Sequence, residues 1–413
     1  MIYSKSQVRG SLLDSISPEK RVVLLCRVSF ICFFFSGVQT AVTYVLFRSN
    51  PRWGTGVCIA ESCATLYLAG LFLLAFGGRS ISWPATSKWI FYYVAFTGLS
   101  LTWSQSSSIA HALGYWIGFA AELGAVVCLL SSGNADEISI AALSGSVWAA
   151  VIVAVIAWSA PGTWELRMGD QQFLHPNAVG NQFGIAALFG LYLARREPAK
   201  RYWNWLTLGL SFSLLRSLSK ASIISFVCAA GFYLFRGSDH NLRSKVKVAL
   251  IFVGMFACSW TFISAYLDVY TDGTNNIETI TGRTVIWATS FDIANEHPWL
   301  GHGFYSYRSI VPPFGEFESW HAHNDLLQQY FSYGLVGVLL ALSIYISFFR
   351  HILRCRESGS IQALAFAILI YGLLHGLTDA DHVELMLPAR LILLVSVWLS
   401  SNIATQKYLT LCI

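Results

Sequence analysis

Apolar residues along the chain are gathered into long runs, and short polar stretches separate the runs. A helix needs roughly 20 mostly apolar residues to cross the hydrocarbon core of a bilayer, with about 17–25 tolerated. Twelve runs reach or approach that length, at residues 28–47, 55–76, 89–103, 109–130, 138–160, 178–194, 203–215, 221–235, 248–267, 326–349, 361–377 and 385–403. The pattern predicts an all-α, polytopic integral membrane protein with about 12 transmembrane helices, in which residues 1–413 form a single membrane domain.

One long stretch, residues 268–325, is too polar to span a membrane and contains the segments TDGTNN, GRT and VPPFGEF. The positions of Lys and Arg orient this stretch. With the N-terminus in the cytoplasm, eighteen Lys and Arg residues lie on the cytoplasmic side and eight, including Arg390, on the outer side. Because positive charges favour the cytoplasmic side, we expect both termini in the cytoplasm and residues 268–325 in one large outer loop.

Composition supports the membrane assignment. Charged residues make up 12% of the chain, hydrophobic residues 55%, and the net charge is only +5, whereas a typical soluble domain is about 25% charged. A soluble protein of this size could not cover its surface with so few charges. This excludes an ordinary cytosolic enzyme, a disordered chain and a nucleic-acid-binding protein, and it makes the lipid bilayer the expected surroundings.

Polar residues of the types that take part in catalysis or ligand binding are densest in residues 319–337, SWHAHNDLLQQYFSYGLVG. His323, Asn324 and Asp325 directly precede an apolar run, and Asn and Asp are good helix N-caps. The positive end of a helix dipole suits an anion such as phosphate and favours a neutral imidazole, which can accept a proton. His323 is therefore a candidate general base. The alternative is that Asn324 and Asp325 merely cap the helix and His323 is a membrane-interface residue.

The same segment could bind a metal through His321, His323 and Asp325, but two histidines and one carboxylate from one local segment are a weak signal. No second cluster completes the set, and the acidic residues of the outer loop form no DxD pair. We therefore expect no metal and no other cofactor.

Three cations are candidates for binding phosphate. The segment TGRTVIW, residues 281–287, places Arg283 near a predicted helix start. Arginine can bind a phosphate through two parallel hydrogen bonds. Arg216 and Lys220 lie between two short apolar runs, at a membrane edge that suits a phosphorylated lipid head. The alternatives are a solvated surface arginine at position 283 and lipid-interface anchors at the other two positions.

Two further motifs contain histidine, proline and glycine. HPNAVGNQFG, residues 175–184, opens an apolar run and offers His175 and Asn177, with Arg167 shortly before it. A plain helix start is the alternative interpretation. HPWLGHGFYSY, residues 297–307, is typical of a turn that forms either the wall of a pocket or ordinary loop packing.

In their order along the chain, these motifs resemble the O-antigen ligase and polymerase family of bacterial envelope enzymes. The resemblance covers roughly residues 175–340. The matching residues are His175-Pro176-Asn177, Ser219-Lys220-Ala221, Gly282-Arg283-Thr284 with Trp287, His297-Pro298 with Gly301-His302-Gly303-Phe304, and His323-Asn324 with Gly334 and Gly337. One departure is that Ser219-Lys220 stands where the family has Ser-Arg. It leaves open whether Lys220 or nearby Arg216 takes that arginine's role.

The resemblance implies a glycosyltransferase at the periplasmic face of the bacterial inner membrane. Its donor would be an oligosaccharide on undecaprenyl diphosphate, and its acceptor a hydroxyl on lipid A–core (a ligase) or on another lipid-linked glycan (a polymerase). Neither a nucleotide sugar nor a metal would be needed. His323 would be the catalytic residue. The other expected site residues are the diphosphate-binding Arg283, Lys220 and Arg216, and the supporting Asn324, His321, His175, Asn177 and Arg167.

Two questions stay open at the level of the sequence. The motifs do not separate an O-antigen ligase from a polymerase of O-antigen or exopolysaccharide units. A transporter of polysaccharide or lipid would also fit twelve spans, and Glu61, Glu122 and His111 do lie within apolar runs. Against a transporter, the candidate functional charges cluster on one face, and no internal repeat is evident.

Overall fold

The computed structural model describes residues 17–78, 81, 83–160, 167–170, 173–236, 246, 254, 280–314, 318–355, 359–379 and 386–411. The regular elements within these ranges are helices. They are α1 (Pro18–Phe47), α2 (Pro51–Phe76), α3 (Ala85–Leu99), α4 (Ile109–Ser132), α5 (Ala135–Ser159), α6 (Pro176–Arg196), α7 (Tyr202–Ser217), α8 (Lys220–Arg236), α9 (Ile280–Ala294), α10 (Tyr307–Ile310), α11 (Asp325–Arg354), α12 (Gly359–Thr378) and α13 (Met386–Leu411), with a 3-10 turn at Ser100–Thr102 after α3.

The predicted apolar runs and the observed helices agree. Eleven of the twelve runs lie on helices, and the run at 248–267 lies outside the described residues except for Gly254. Within the described residues, six helices (α1, α2, α4, α5, α11 and α12) are long and apolar enough to cross a membrane. The all-helical, multi-pass architecture is confirmed. The count of twelve spans stays a prediction, as does the 268–325 loop, parts of which lie outside the described ranges.

Helices α6 and α8 run parallel to each other. Near the start of α6, Gly180 lies against Ser219, which directly precedes α8. Near the end of α6, the Arg195 guanidinium stacks on the ring of Tyr233, near the end of α8, at 4.4 Å. A glycine at position 180 permits the close approach, because a Cβ there would collide with the serine side chains. The starts of α6 and α8 therefore lie at the same level of the bundle.

Helices α11 and α12 run antiparallel. The Gln362 side chain near the start of α12 donates to the carbonyl of Ile352 near the end of α11, at 2.8 Å. At the opposite ends, Gly376 packs against the Asp325 carboxylate. The start of α11 and the end of α12 are therefore neighbours.

The two helix pairs share one end of the bundle. Tyr371, in the second half of α12, donates to the carbonyl of Asn181 near the start of α6, at 3.1 Å. Phe366, about one turn earlier in α12, packs on Phe232 near the end of α8, with ring centroids 5.4 Å apart. One end of the bundle thus contains the starts of α6, α8 and α11 and the end of α12. We call it the α12-terminal end.

Helix α11 is broken where the sequence suggested one continuous run. Gly334 has φ +61° and ψ −158°, a left-handed conformation that glycine adopts without steric cost. The HPWLGHGF segment packs into the break. The backbone N–H of Leu335 donates to the Pro298 carbonyl (2.8 Å), and that of Gly303 donates to the Ser332 carbonyl (2.8 Å). The motif is therefore a packing turn that holds the start of α11 at an angle to the rest of it.

The structure corrects the placement of Arg390. The sequence count put this residue on the outer side, but its side chain is only 10% exposed, and it pairs with Glu122 of α4 at 2.6 Å. Arg390 also donates to Ser36, and Ser36 in turn donates to the other Glu122 oxygen at 2.9 Å. Arg390 is therefore part of an ion pair inside the helical bundle, and the outer side has one fewer cation than the count gave it.

Candidate functional site

The histidine pair lies beside a buried carboxylate at the end of α12. Asp379 directly follows α12, and its Oδ1 lies 3.0 Å from Nδ1 of His323 and 3.9 Å from Nδ1 of His321. The two imidazoles meet edge to face, with ring centroids 4.2 Å apart. Three ionisable side chains from two separate segments of the chain are thus in contact.

The turn that carries the histidines is held from several directions. Gln328, in the first turn of α11, accepts a hydrogen bond from the Ala322 amide at 2.9 Å, and Ser319 donates to the His321 carbonyl at 2.7 Å. The amide of His323 donates to Nδ1 of His321 at 3.2 Å. His323 has φ +50°, a conformation that is uncommon outside glycine and that functional sites often contain.

The contact with Asp379 orients His323 for proton transfer. An ionised carboxylate only accepts hydrogen bonds, so the bond at 3.0 Å requires a proton on Nδ1 of His323. In the neutral imidazole, Nε2 then has the lone pair. Burial would raise the pKa of the Asp379 carboxyl, but the hydrogen bond from His323, together with the electrostatic influence of the His323, His321 and His375 imidazoles, holds this pKa well below its ordinary value. Asp379 is therefore a carboxylate, and His323 can act as a base through Nε2.

Arg283 and Asn324 join two further elements to the end of α12. Arg283, in the first turn of α9, donates through Nη1 to the carbonyl of Thr378, the residue before Asp379. Asn324 donates to the carbonyl of Leu377 at 3.1 Å and accepts from the amide of Leu327 at 3.0 Å, so it also caps α11 as the sequence predicted. The structure therefore brings Arg283 and Asn324 to the His323–Asp379 pair.

A second polar cluster surrounds the start of α6. His175 is the N-cap of α6, and its Nδ1 accepts a hydrogen bond from the Asn177 amide at 3.4 Å. Arg167 is buried, donates to the Asn177 side chain, and donates to the Ser217 carbonyl at the end of α7 at 3.2 Å. The predicted supporting residues Arg167, His175 and Asn177 therefore meet one another and fix the α7–α8 turn.

The α7–α8 turn carries the remaining predicted cations. Arg216 lies in the last turn of α7, its carbonyl accepts a hydrogen bond from the Met168 amide, and Lys220 is the exposed first residue of α8. Phe232 lies twelve residues after Lys220 and packs on Phe366, which lies twelve residues before Thr378. Twelve helical residues span about 18 Å, so Lys220 lies at the level of the α12 end. Every site residue that the sequence named is thus at the α12-terminal end.

The sequence did not single out Asp379. It lies in the segment LTDADH, just after an apolar run, and its contact with a histidine 56 residues earlier depends on how α12 packs against α11. The carboxylate considered beside the histidines was Asp325, which instead lies against Gly376. His321, His323 and Asp379, and not Asp325, are the residues in the described ranges whose ligand atoms lie together, within 4.8 Å of one another.

A family model and two known proteins match parts of this chain in sequence. Residues 205–342 match the model of the O-antigen ligase family. The exopolysaccharide production protein ExoQ of Rhizobium meliloti strain 1021 is 24% identical over 296 residues, which cover 65% of this chain and 66% of that protein. The O-antigen ligase of Pseudomonas aeruginosa PAO1 is 28% identical over 247 residues, which cover 58% of this chain and 59% of that protein. The chain thus spans less than two thirds of the length of each of these relatives, 66% of the first and 59% of the second.

The family match covers part of the candidate site, and Asp379 lies outside it. The matched segment contains Arg216, Lys220, Arg283, His321, His323 and Asn324, which are the residues that the motifs singled out in this region. The resemblance that the motifs predicted is confirmed: residues 205–342 match the O-antigen ligase family model, and two relatives from polysaccharide synthesis align with the chain.

Proposed function

We propose that the protein is a glycosyltransferase of the bacterial inner membrane that transfers an oligosaccharide from undecaprenyl diphosphate to an acceptor hydroxyl. The observation that carries the proposal is the His323–Asp379 pair, because it provides an oriented, partly exposed base beside a phosphate-binding arginine. The side chain of His323 is 14% exposed and that of Asp379 only 5%. A substrate can therefore reach the imidazole while the carboxylate stays shielded from water.

In the proposed reaction, Nε2 of His323 accepts the proton of the acceptor hydroxyl as its oxygen attacks the anomeric carbon of the donor sugar. The bond between that carbon and the diphosphate oxygen breaks, and undecaprenyl diphosphate leaves with the bonding electrons. Asp379 keeps the Nδ1 proton in place and stabilises the imidazolium that forms. General-base catalysis of this kind typically contributes about 10²–10⁴-fold to a rate.

Arg283 is the best placed cation for the departing diphosphate. Its Nη1 is fixed on the Thr378 carbonyl, and a guanidinium has five N–H donors, so others can bind a phosphate. The charge that develops on the leaving group is stabilised most effectively by donors that are already in position. Lys220 and Arg216, at the same end of the bundle, are the proposed further contacts for the diphosphate. This arrangement needs no metal.

A polymerase of O-antigen or exopolysaccharide units is the second candidate, because the two relatives carry different names. One is called an exopolysaccharide production protein and the other an O-antigen ligase. Both reactions use the same donor chemistry and the same base. They differ in the acceptor, which is lipid A–core for a ligase and a second lipid-linked glycan for a polymerase.

The test is a reconstituted transfer reaction. Purified protein is mixed with the lipid-linked oligosaccharide donor and, in separate reactions, each of the two acceptors, all in excess EDTA. We expect release of undecaprenyl diphosphate and a new glycoside with one acceptor. No release with either acceptor would refute the proposed function. Activity that disappears in EDTA and returns with Mg²⁺ or Mn²⁺ would refute the metal-free mechanism.

The orientation has its own test. We propose that the α12-terminal end faces the periplasm and both termini face the cytoplasm, as the distribution of Lys and Arg predicts. Glu318 is exposed close to the histidine turn. In a variant stripped of native cysteines, Glu318→Cys should react with an impermeant thiol reagent in cells with a permeable outer membrane. Labelling only after the inner membrane is broken would reverse the orientation.

A further inference from the structure

We infer that His321, His323 and Asp379 form a binding site for Zn²⁺ and that the bound ion inhibits the enzyme. Each residue offers one ligand atom, and the three atoms lie within 4.8 Å of one another. Two imidazoles and a carboxylate are ligands that zinc prefers, whereas Mg²⁺ prefers oxygen ligands and water. No residue outside these three is needed for the site.

The spacing of the ligand atoms suits zinc after small shifts. Zinc binds imidazole nitrogen and carboxylate oxygen at about 2.0–2.2 Å, so tetrahedral ligands lie about 3.3–3.5 Å apart. The Asp379 oxygen is 3.0 Å from Nδ1 of His323 and 3.9 Å from Nδ1 of His321. These two distances depart from the ideal by about 0.3–0.6 Å. The ligand atoms of the two histidines lie within 4.8 Å of each other, so zinc binding requires the imidazole rings to rotate towards one point.

The protonation and exposure of the site also favour an ion. Nδ1 of His321 accepts a hydrogen bond from the amide of His323, so this nitrogen is unprotonated, as a metal ligand has to be, and a bound ion would replace that hydrogen bond. The side chains of His321 and His323 are 17% and 14% exposed, which gives an ion access from solvent. Three protein ligands leave the fourth position of a tetrahedral zinc for water.

Inhibition follows from the tautomer of His323. In the active arrangement Nδ1 carries the proton and Nε2 has the lone pair that accepts the proton of the acceptor hydroxyl. Zinc at Nδ1 displaces that proton, and the neutral ring then carries its proton on Nε2. His323 can then no longer accept a proton, although the lipid-linked sugar donor and the cations Arg283, Lys220 and Arg216 are undisturbed. This inhibitory part of the inference depends on the proposed function, whereas zinc binding itself does not.

Binding is tested on the purified full chain, prepared without a histidine tag, by competition with a chromophoric zinc chelator. We expect one Zn²⁺ site, weakened at least about tenfold in His321→Ala and in Asp379→Asn, and no competition by Mg²⁺. The matched control is His111→Ala, because His111 is an exposed histidine of α4; its affinity should not change. His321→Gln is the second variant if His321→Ala does not fold. Unchanged zinc affinity in both His321 variants and in Asp379→Asn would overturn the site.

Inhibition is tested separately in the transfer assay. Zn²⁺ should stop wild-type transfer, EDTA should restore it, and His321→Ala should resist zinc when compared with its own zinc-free rate. Zinc that binds to the three residues without slowing transfer would overturn the inhibitory role. A protein that binds zinc here but shows no transfer with any acceptor would refute the proposed function and leave the metal site standing.

Discussion

Two carboxylates of this protein pair with basic side chains and differ in what surrounds them. Glu122 lies between helices, and both of its carboxylate oxygens accept hydrogen bonds within the bundle. Arg390 donates to one oxygen at 2.6 Å, and Ser36 and Ser62 donate to the other at 2.9 and 3.4 Å. Asp379 lies at a helix end, and it fixes one nitrogen of His323 while leaving the other able to react.

From this comparison we propose that the functional site is marked by a side chain that is held through only one of its polar atoms. A buried carboxylate with both oxygens hydrogen-bonded, as in Glu122, has little left with which to bind a substrate, although removing its charged partner is costly. A histidine held through Nδ1 alone is oriented and still able to accept a proton. Glu122 and Arg390 therefore hold helices together, which also weakens the argument for a transporter based on charges within the spans.

The largest effect should come from removing the base. His323→Ala should reduce transfer by about 10²–10⁴-fold, because the acceptor hydroxyl loses its proton acceptor. His321→Ala, the matched control in the same turn, should be milder, since its imidazole lies 3.9 Å from Asp379. Both are measured as kcat in the transfer assay, with protein quantified by its folded fraction. If the two effects were reversed, the catalytic assignment would move to His321.

The next largest effect should come from replacing Arg283, whose guanidinium contacts the end of α12. Arg283→Ala should reduce kcat by about 10²–10³-fold, because a fixed donor to the developing charge is lost. Arg283→Lys should be nearly as damaging, since lysine cannot make two parallel hydrogen bonds to one phosphate. The measurement is the rate of undecaprenyl diphosphate release. Full activity in Arg283→Ala would mean that the diphosphate is held elsewhere.

Breaking the Glu122–Arg390 ion pair inside the bundle should lower the stability of the protein and have little effect on kcat. Glu122→Ala leaves Arg390 buried without its carboxylate, and should lower the free energy of unfolding by about 3–5 kcal/mol. The double variant Glu122→Leu with Arg390→Met should recover much of that loss, because neither charge remains. Thermal unfolding in detergent measures the stability, and kcat per folded molecule should stay within a few-fold of wild type. A selective loss of kcat would contradict a structural role.

The smallest effect should come from Lys220→Arg. This change restores the arginine that the family pattern has at this position, and the side chain is exposed, so no packing is disturbed. We expect transfer within about twofold of wild type, whereas Lys220→Ala should lose a phosphate contact and raise the KM for the donor. If Lys220→Ala were neutral and Arg216→Ala were damaging, Arg216 would be the residue that takes the family arginine's role.

Much of the fold could be predicted because lipid imposes a simple rule on sequence. A run of apolar residues in a membrane has to be a helix, and the helix starts were marked locally, as with His175 and Pro176 at α6 and Asn324 at α11. The break in α11 was not visible, because Gly334 lies in an apolar run and the segment that packs into the break comes from residues 297–303. Long-range packing of this kind leaves no local signal.

The site was predicted in its local parts and missed in its tertiary part. The histidines and Asn324 stand together in the sequence, and Arg283 belongs to a recognisable motif. Asp379 belongs to no motif and becomes important only because α12 runs antiparallel to α11 and ends beside the histidine turn. For the same reason the count of Lys and Arg assigned Arg390 to the outer side of the membrane, because its partner Glu122 is 268 residues away in the sequence.

The most direct test of the central claim is Asp379→Asn, assayed for transfer in excess EDTA so that no metal can contribute. An asparagine can donate to Nδ1 of His323 as well as accept from it, so it no longer fixes the tautomer with a lone pair on Nε2. We predict a fall in kcat of at least about 10²-fold with the KM for the donor little changed, and partial recovery in Asp379→Glu. Unchanged kcat in Asp379→Asn, or a rise in KM alone, would contradict the claim that Asp379 orients His323 as the base.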